Sequence, residues 1–289
     1  MKVLLFGEIG QLGQEIIRRA GDDVTLEVRG LDEADFTDPA GCAAWVEKTD
    51  ADVVINAAAY TAVDKAEEQE DLALAINGTT PTTLAKAAAA RGLPFVQVST
   101  DYVFDGTGDQ PFQPDHPTGP LGAYGRTKLA GEDGVVAAGG AYAILRTSWV
   151  VSSHGNNFVK TMLRLGKERD RLTIVADQIG GPTPAAGLAD ACLAAARKLM
   201  EDPAGATGIY HCAGGPDVSW ADFAREIFAQ SGTSCEVVDI PSSDYPTPAQ
   251  RPLNSRMDCT TLTTVLDVPR PDWRVGLRDI LTDLGERPS

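Results

Sequence analysis

Short aliphatic segments alternate with alanine-rich segments along the first half of this chain, and this alternation constrains the fold more than any other feature. The aliphatic segments are KVLLF, VTLEV, ADVVINAA, PFVQVS and YAILRTSWV, and the intervals between them can each hold a helix. The segment LALAINGTTPTTLAKAAAARG is typical of one such helix, which we expect to end at Gly92 ahead of Pro94. Repeated strand and helix units predict an α/β fold, in which helices cover both faces of a parallel sheet.

The pattern becomes less regular after about residue 150. Residues 172–214 still alternate between strand-like and helix-like segments, so we expect parts of this range to continue the first sheet. Beyond it, Ser219 is a predicted N-cap, and the helical WADFAREIFAQ, the strand-like CEVVDI, a proline-rich stretch and an amphipathic helix follow. We predict a first domain at residues 1–150 and a smaller C-terminal α+β substrate domain at residues 151–289, in a division that need not be continuous along the chain.

The first strand-like segment runs into a glycine-rich turn, FGEIGQLGQE. Gly7, Gly10 and Gly13 have a G-x-x-G-x-x-G spacing that differs from the common G-x-G-x-x-G fingerprint. A tight turn, a close approach of backbone to pyrophosphate and tight strand–helix packing nevertheless all require residues without Cβ. Backbone N–H groups at the helix start, around Gln11 and Leu12, would meet the phosphates. The turn predicts a Rossmann-type, doubly wound parallel sheet that binds a nicotinamide dinucleotide.

Two charged residues near the end of the second predicted strand bear on which dinucleotide binds. Glu27 ends that strand in our prediction, where an acid binds the adenosine ribose, whereas Arg29 could hold a 2′-phosphate. Both could also be solvated loop charges. We favour NADPH, with NADH as an alternative.

Composition excludes several classes of partner. The formal charge of -16, from 41 acidic and 25 basic side chains, argues against general affinity for nucleic acid or anionic membranes. Apolar runs fall short of the roughly 20 residues needed to span a bilayer, and no signal-peptide pattern begins the chain, so we expect a cytoplasmic protein. Five scattered cysteines without a CxxC pair suggest neither disulfides nor zinc, and we assign no metal.

The segment YGRTKLAGE is a candidate for acid catalysis. Tyr124 and Lys128 would share a helix face, so we expect the ammonium to favour the phenolate and lower the pKa of Tyr124. Tyr124 could then give a proton to a carbonyl oxygen as hydride reaches the carbon. Such pairs are also common on solvated helices, but here the strand of VQVSTDYVFDG places Thr100 at the ligand-binding edge of the sheet, where it can donate to the same oxygen.

This order of motifs resembles the short-chain dehydrogenase/reductase family. More narrowly, the chain is similar over nearly its whole length to the dTDP-4-dehydrorhamnose reductase family, in the segments FGEIGQLGQE, NAAAYTAVDKAE, STDYVFDGTG, YGRTKLAGE, RTSWV, NNFVKTML, DQIGGPT and YPTPAQRPLNSRM. The resemblance implies reduction of the C4 ketone of dTDP-6-deoxy-L-lyxo-4-hexulose to dTDP-L-rhamnose, the last step of dTDP-rhamnose biosynthesis. It also implies that Tyr124 donates the proton, Lys128 holds the nicotinamide ribose and Thr100 polarises the ketone.

The resemblance assigns further contacts, each with a structural alternative. On the cofactor side they are Ala57, Ala58, Ala59 and Thr61 beside the third strand, and Asp35 and Phe36 near the adenine. On the substrate side they are Asp101 and Trp149 at the sugar, and Asn157, Arg251 and Arg256 at the nucleotide diphosphate. An arginine fork suits phosphate and an aromatic face suits a deoxysugar, whereas packing alanines, loop acids and core aromatics would look the same in the sequence.

Other functions remain alternatives. Another nucleotide-sugar short-chain reductase or an epimerase would use the same fold, whereas a dehydratase is disfavoured because Tyr102 follows Asp101 where such enzymes carry a glutamate. A non-catalytic regulatory subunit of this fold would not need Thr100, Tyr124 and Lys128, so their presence favours an enzyme. We expect a monomer or a homodimer that binds a dTDP-sugar.

Overall fold

The structure, a computed structural model, describes residues 1–286. Its strands are β1 (Lys2–Phe6), β2 (Thr25–Arg29), β3 (Val53–Asn56), β4 (Phe95–Thr100), β5 (Tyr142–Thr147), β6 (Val150–Val151), β7 (Arg171–Val175), β8 (Ile179–Gly180), β9 (Thr183–Pro184), β10 (Gly208–His211), β11 (Val218–Ser219), β12 (Glu236–Ile240) and β13 (Asn254–Ser255). Its α-helices are α1 (Gln11–Arg19), α2 (Pro39–Lys48), α3 (Val63–Ala66), α4 (Glu70–Leu74), α5 (Thr80–Ala90), α6 (Ala123–Ala137), α7 (Phe158–Glu168), α8 (Ala185–Glu201), α9 (Pro203–Ala206), α10 (Trp220–Ser231), α11 (Thr260–Leu266) and α12 (Trp273–Asp283).

The predicted alternation folds into one six-stranded parallel sheet with the order β10-β5-β4-β3-β1-β2. Residues of α1 and α8 form the core on one face, and residues of α2, α5 and α6 form the core on the other. Burial on both faces explains why β3 is buried at every position and begins with three successive apolar residues instead of alternating. The strand order reverses beside β1, and ligands bind at the carboxyl ends of strands at such a point. The doubly wound α/β fold is confirmed.

The predicted crossover helix is interrupted. The chain from α4 to α5 passes through a π-helical turn at Ala75–Thr79, whose Asn77 is buried and bonds to both backbone groups of Tyr60. Helix α5 stops at Ala90, and Gly92 follows with a positive φ of 67°, as the glycine was expected to do.

Residues from the later part of the chain form a second layer. Strands β7 and β12 pair in parallel, and α7, α10 and α12 share a separate apolar core around Phe223 and Trp273. Ser219 is the N-cap of α10, as predicted, because its side chain accepts a hydrogen bond from the backbone N–H of Asp222.

The chain crosses between the two layers more than once. Within the range 172–214, strand β10 joins the large sheet and α8 packs on α1, but β7 pairs with β12 and, among the strands of residues 1–286, with no other. A boundary at residue 150 therefore does not separate the layers, and we propose a discontinuous division into domains. Residues 287–289 of the expected C-terminal domain lie outside the described residues. Within residues 1–286, no helix is both long and apolar enough to cross a bilayer.

Candidate active site

The glycine turn is built by close backbone contacts. A Cβ at Gly7, which has a φ of +103°, would lie 2.6 Å from the backbone nitrogen of Ala58, and one at Gly13 would lie 2.0 Å from the Gly7 oxygen. A Cβ at Gly10 would meet no atom nearer than 3.7 Å. The outer glycines are therefore required by packing within the chain, while Gly10 borders open space.

That open space has the properties of a pyrophosphate cradle. Gly10 is the N-cap of α1 and offers no side-chain acceptor, and the first turn, which begins with Gln11 and Leu12, holds no acidic residue. The N–H groups of this turn are thus available to an anion at the positive end of the helix dipole. The residues present fit a dinucleotide, as the sequence predicts.

The alanine segment after β3 lies against the glycine turn. The contacts of Gly7 are with Ala57 and Ala58, and the side chain of Asn56 accepts a hydrogen bond from the Ala58 N–H. Ala57, Ala58 and Ala59 are partly exposed, so they line this edge of the sheet without filling it. Thr61 is exposed and does not cap α3 with its side chain, because the N-cap of α3 is Ala62.

Glu27 does not end its strand as predicted, and a contact between Glu27 and the adenosine ribose stays a prediction. Glu27 lies inside β2, in register with Leu4, and its carboxylate accepts hydrogen bonds from Thr49 at 2.6 Å and from Arg29 at 2.5 Å. Arg29 is the last residue of β2, in register with Phe6 directly before the glycine turn. The cation therefore stands where the acid was expected, because Arg29 is two positions after Glu27 in the strand.

Arg29 is partly prepared to bind an anion. Its guanidinium lies 3.9 Å from the centroid of the Trp45 ring, which holds it in place by a cation–π contact. Its Nε is buried and has no hydrogen-bond partner in the part of the chain that the structure describes. A buried donor without a partner is costly unless a ligand satisfies it.

Asp35 and Phe36 have structural roles in this part of the fold. The Asp35 carboxylate accepts hydrogen bonds from the backbone and hydroxyl of Thr37, and these bonds lower its pKa. Phe36 is buried with its ring edge-on to Phe6 at 5.8 Å. An adenine contact by either residue stays a prediction.

Helix α6 brings Tyr124 and Lys128 to the carboxyl end of β4. The helix comes unusually close to the turn after that strand, because a Cβ at Gly125 would lie 2.2 Å from the backbone oxygen of Tyr102. As a result, the Tyr124 and Tyr102 rings meet edge-on at 5.5 Å. Lys128 is buried, and its ammonium donates to the Val98 carbonyl of β4 at 2.6 Å.

The pKa of Tyr124 moves in the opposite direction from our prediction. Burial raises the pKa of Tyr124 to about 12, while the hydroxyl of Thr100 opposes the rise and the charge of Asp101 adds to it. Burial likewise lowers the pKa of Lys128 to about 8, against the attraction of Glu132. Desolvation, and not the charge of Lys128, thus decides the pKa of Tyr124, although the tyrosine is only partly buried whereas Lys128 is 3% exposed.

Asp101 is a buried carboxylate held by two hydroxyls. Thr100 donates to its Oδ1 at 3.0 Å, and Ser255 of β13 donates to its Oδ2 at 2.5 Å. Burial raises the pKa of Asp101 to about 6, and these two hydrogen bonds limit the rise. Ser255 was missed by the sequence analysis, although it lies in the segment YPTPAQRPLNSRM, and it links β13 to the turn that follows β4.

A large cleft opens beside this cluster. It has a volume of about 880 Å³, and its wall includes Tyr102, whose ring also contacts Tyr124. Arg251 lines it and pairs with Asp64 at 2.8 Å, while the Arg251 Nη1 is buried without a hydrogen-bond partner among residues 1–286. The cleft therefore extends from Tyr102, which contacts Tyr124, to a cation with unused donor capacity.

An aromatic wall completes the cleft. Trp220, at the start of α10, lines it and stacks on Trp149 with ring centroids 3.6 Å apart. Trp149 has a φ of +49°, which is uncommon for any residue but glycine, and its indole fits because a Cβ at Gly180 would lie only 3.0 Å from it. Sequence reasoning identified Trp149 but missed Trp220, because the sequence around Trp220 indicates only a helix.

The other two predicted diphosphate contacts, Asn157 and Arg256, do not line this cleft, and whether either binds the diphosphate stays a prediction. The Asn157 side chain caps α7 and donates to Gln11 at 2.8 Å, so it contacts the glycine turn and its polar atoms are already bonded. The Arg256 guanidinium donates to Asn254 at 3.0 Å and is not among the residues that line the cleft. Of the three predicted diphosphate residues, only Arg251 lies in the cleft.

Comparison with known proteins identifies the family. The model of the RmlD substrate binding domain family matches residues 1–286. A dTDP-4-dehydrorhamnose reductase from Salmonella typhimurium is 43% identical over 98% of each chain. The chain belongs to the dTDP-4-dehydrorhamnose reductase family.

Solved structures of this reductase family share the whole fold. A dTDP-4-dehydrorhamnose reductase from Clostridium acetobutylicum is 39% identical and superposes with a TM-score of 0.92 over 99% of this chain and 100% of that chain. One from Bacillus anthracis, solved in complex with NADP, is 33% identical with a TM-score of 0.89 over 98% and 99% of the two chains. The resemblance drawn from the sequence motifs is confirmed, and the chain is an oxidoreductase of this family.

Proposed function

We propose that this protein reduces the C4 ketone of dTDP-6-deoxy-L-lyxo-4-hexulose with NADPH and releases dTDP-L-rhamnose, as the last step of dTDP-rhamnose biosynthesis. The observation that carries the proposal is the convergence of Thr100, Tyr124 and Lys128 at the carboxyl end of β4, in a member of the dTDP-4-dehydrorhamnose reductase family. The glycine turn beside β1 lies at the same edge of the sheet.

The bound nicotinamide supplies the hydride that adds to C4 of the sugar. The carbonyl π electrons move to the oxygen, and Tyr124 gives that oxygen its phenolic proton, so a hydroxyl forms and a phenolate is left. A pKa of about 12 keeps Tyr124 protonated at neutral pH, which is the state a proton donor needs. Thr100, whose hydroxyl hydrogen-bonds with the Tyr124 phenol and donates to Asp101, would turn its O–H to the ketone oxygen and so orient and polarise the ketone.

Lys128 has a different task in this proposal. Its ammonium is held at the backbone of β4, where it can also donate to the nicotinamide ribose. Because Lys128 is an acid with a pKa of about 8, it stabilises the phenolate left after proton transfer only while it is charged. We infer that loss of this charge limits activity at alkaline pH.

The cleft is our proposed site for the dTDP moiety. Arg251 offers a buried donor that no atom of residues 1–286 satisfies, and a diphosphate would satisfy it. The stacked Trp149 and Trp220 rings supply an apolar face for the deoxysugar or the base. Asp101 lies next to Thr100 and could accept a hydrogen bond from a sugar hydroxyl.

On the cofactor side, Arg29 favours NADPH over NADH through a 2′-phosphate contact, with NADH as the alternative.

The test is loss of NADPH absorbance when the purified protein meets the ketosugar nucleotide. We expect Tyr124→Phe to bind NADPH normally and to lose about 10²–10⁴-fold in kcat, the usual contribution of proton transfer. The matched control is Tyr142→Phe, because Tyr142 starts β5 at the opposite end of the sheet and should keep full activity. An active Tyr124→Phe enzyme would refute the assignment.

A regulatory subunit is the alternative from another class. It would give no turnover with either coenzyme and would co-purify stoichiometrically with a partner enzyme. A cytoplasmic location and a monomeric or homodimeric state are also part of the proposal, and light scattering of the purified protein would decide the oligomeric state.

A further inference from the structure

A buried ion pair lies one helical turn behind the catalytic lysine. Glu132 and Arg146 are 2% and 3% exposed, and the Arg146 fork meets the carboxylate with an Nε–Oε1 distance of 3.0 Å and an Nη2–Oε2 distance of 2.7 Å. Glu132 is four residues after Lys128 on α6, so the two side chains share a face of the helix. The pair is therefore next to the site but outside the residues that would touch substrate.

The surroundings hold the pair rigidly. Arg146 is on β5, opposite Ser99 of β4, and its Nη1 donates to the Pro114 carbonyl at 2.9 Å. Its guanidinium lies 5.0 Å from the centroid of the Phe104 ring. With the arginine fixed by strand, loop and ring, the Glu132 carboxylate has one orientation.

The charges around Lys128 are few. Tyr124 and Glu132 share its helix, Arg146 from β5 stands behind Glu132, and buried His211 from β10 lies behind Arg146. Within the described chain, Glu132 is the charged group that favours the protonated form of Lys128, against the burial that disfavours it. His211 adds no charge at neutral pH because burial and Arg146 lower its pKa to about 3.

We propose that Glu132 and Arg146 form a positioning pair that keeps the Lys128 ammonium charged and directed at the end of β4, an inference that rests on the proposed function. Arg146 orients the carboxylate, and the carboxylate acts on Lys128 through space. Such a pair is also open to a purely structural explanation, because removing one member of a buried ion pair destabilises the fold whatever its neighbours do.

Two variants separate these explanations. Glu132→Gln leaves Arg146 buried without its partner and can fail to fold, whereas Glu132→Gln with Arg146→Met removes both charges together and is better tolerated. Arg126→Met is the matched control, since Arg126 is on the same helix in an exposed ion pair with Glu70. The first measurement is the pH dependence of kcat/KM for NADPH with the ketosugar nucleotide.

We expect the alkaline limb of the double variant to move to lower pH by a fraction of the roughly one unit that one nearby opposite charge contributes, because the repulsion by Arg146 is removed together with the nearer attraction of Glu132, and that of the control to stay in place. In Glu132→Gln, if it folds, the limb should move further because Arg146 then repels the ammonium unopposed. A folded double variant whose profile overlays the wild type would overturn the proposal.

An NMR titration of lysine labelled with ¹³C at Cε gives a readout independent of turnover, with the Lys128 resonance assigned by its loss in Lys128→Met. The Lys128 midpoint should fall in the double variant. If the wild type shows no turnover but this midpoint falls, the proposed function fails and the inference about the charge stands. An unchanged midpoint in a folded double variant would refute the inference itself.

Discussion

The middle and last glycines of the turn should fail in different ways when alanine replaces them. At Gly13 the new Cβ would lie 2.0 Å from the backbone oxygen of Gly7, so the backbone must move. At Gly10 the new Cβ meets no protein atom within 3.7 Å, so the chain can accept it. Gly13→Ala therefore tests the packing of the turn, and Gly10→Ala tests whether a pyrophosphate fills the space beside it.

The two effects differ in size and in kind. A contact of 2.0 Å with a backbone atom belongs at the upper end of the overpacking range, about 3 kcal/mol, and the better helix propensity of alanine returns about 1 kcal/mol, so Gly13→Ala should lower Tm by roughly 4–8 °C. Gly10→Ala should cost less than about 1 kcal/mol of stability as an N-cap change. It should instead lose backbone hydrogen bonds to a charged ligand, which are worth about 1.5–3 kcal/mol, and weaken NADPH binding by roughly 10–100-fold.

Calorimetric titration with NADPH and thermal unfolding without ligand measure the two quantities on the same samples. A Gly10→Ala protein that binds NADPH like the wild type would show that the pyrophosphate does not lie there. A Gly13→Ala protein with the wild-type Tm would contradict the close contact with Gly7.

Three further predictions concern charged residues around the cleft and the turn. The pKa of Asp101 is raised from 3.8 to about 6 in the folded state, so its contribution to stability is present below about pH 4 and is lost as pH rises through 6. The free energy of unfolding of Asp101→Asn, relative to that of the wild type, should thus rise by about 3 kcal/mol between pH 4 and pH 8. Urea unfolding measures both proteins at each pH. A difference between the two proteins that does not change with pH would contradict the shift. Arg251→Met should raise KM for the nucleotide sugar about 10–100-fold and leave KM for NADPH nearly unchanged, whereas Arg256→Met should leave KM for the nucleotide sugar nearly unchanged. Equal changes in KM for the nucleotide sugar in the two variants would show that Arg251 does not bind the diphosphate. Arg29→Met should raise KM for NADPH and leave KM for NADH unchanged in steady-state assays, and parallel changes with the two coenzymes would rule out a 2′-phosphate contact.

Local patterns were sufficient wherever a residue acts through its immediate neighbours in the chain. The apolar segments became β1 to β5, Ser219 became an N-cap, and Gly7 took a positive φ. Tyr124 and Lys128 lie on one face of α6 because a spacing of four residues is about one helical turn. These outcomes depend on backbone geometry and side-chain size, which each short segment carries with it.

The errors arose where distant segments meet. The extent of β2 placed Glu27 inside the strand and Arg29 at its end, a difference of two residues that decides which side chain reaches the cofactor edge. Ser255 is 154 positions from Asp101, whose carboxylate accepts its hydrogen bond, and no local sequence pattern predicts that pairing. Trp220 became a cleft residue only because α10 starts against Trp149.

By itself, the order of residues in this chain determined a doubly wound α/β sheet, a dinucleotide turn and a reductase family, because hydrophobic periodicity and backbone constraints operate over short distances. Tertiary structure alone decided the ionisation of the site. How far water is excluded from Tyr124, Lys128 and Asp101 depends on what packs over them from remote parts of the chain, and desolvation of a charge is as strong as the attraction of a nearby ion.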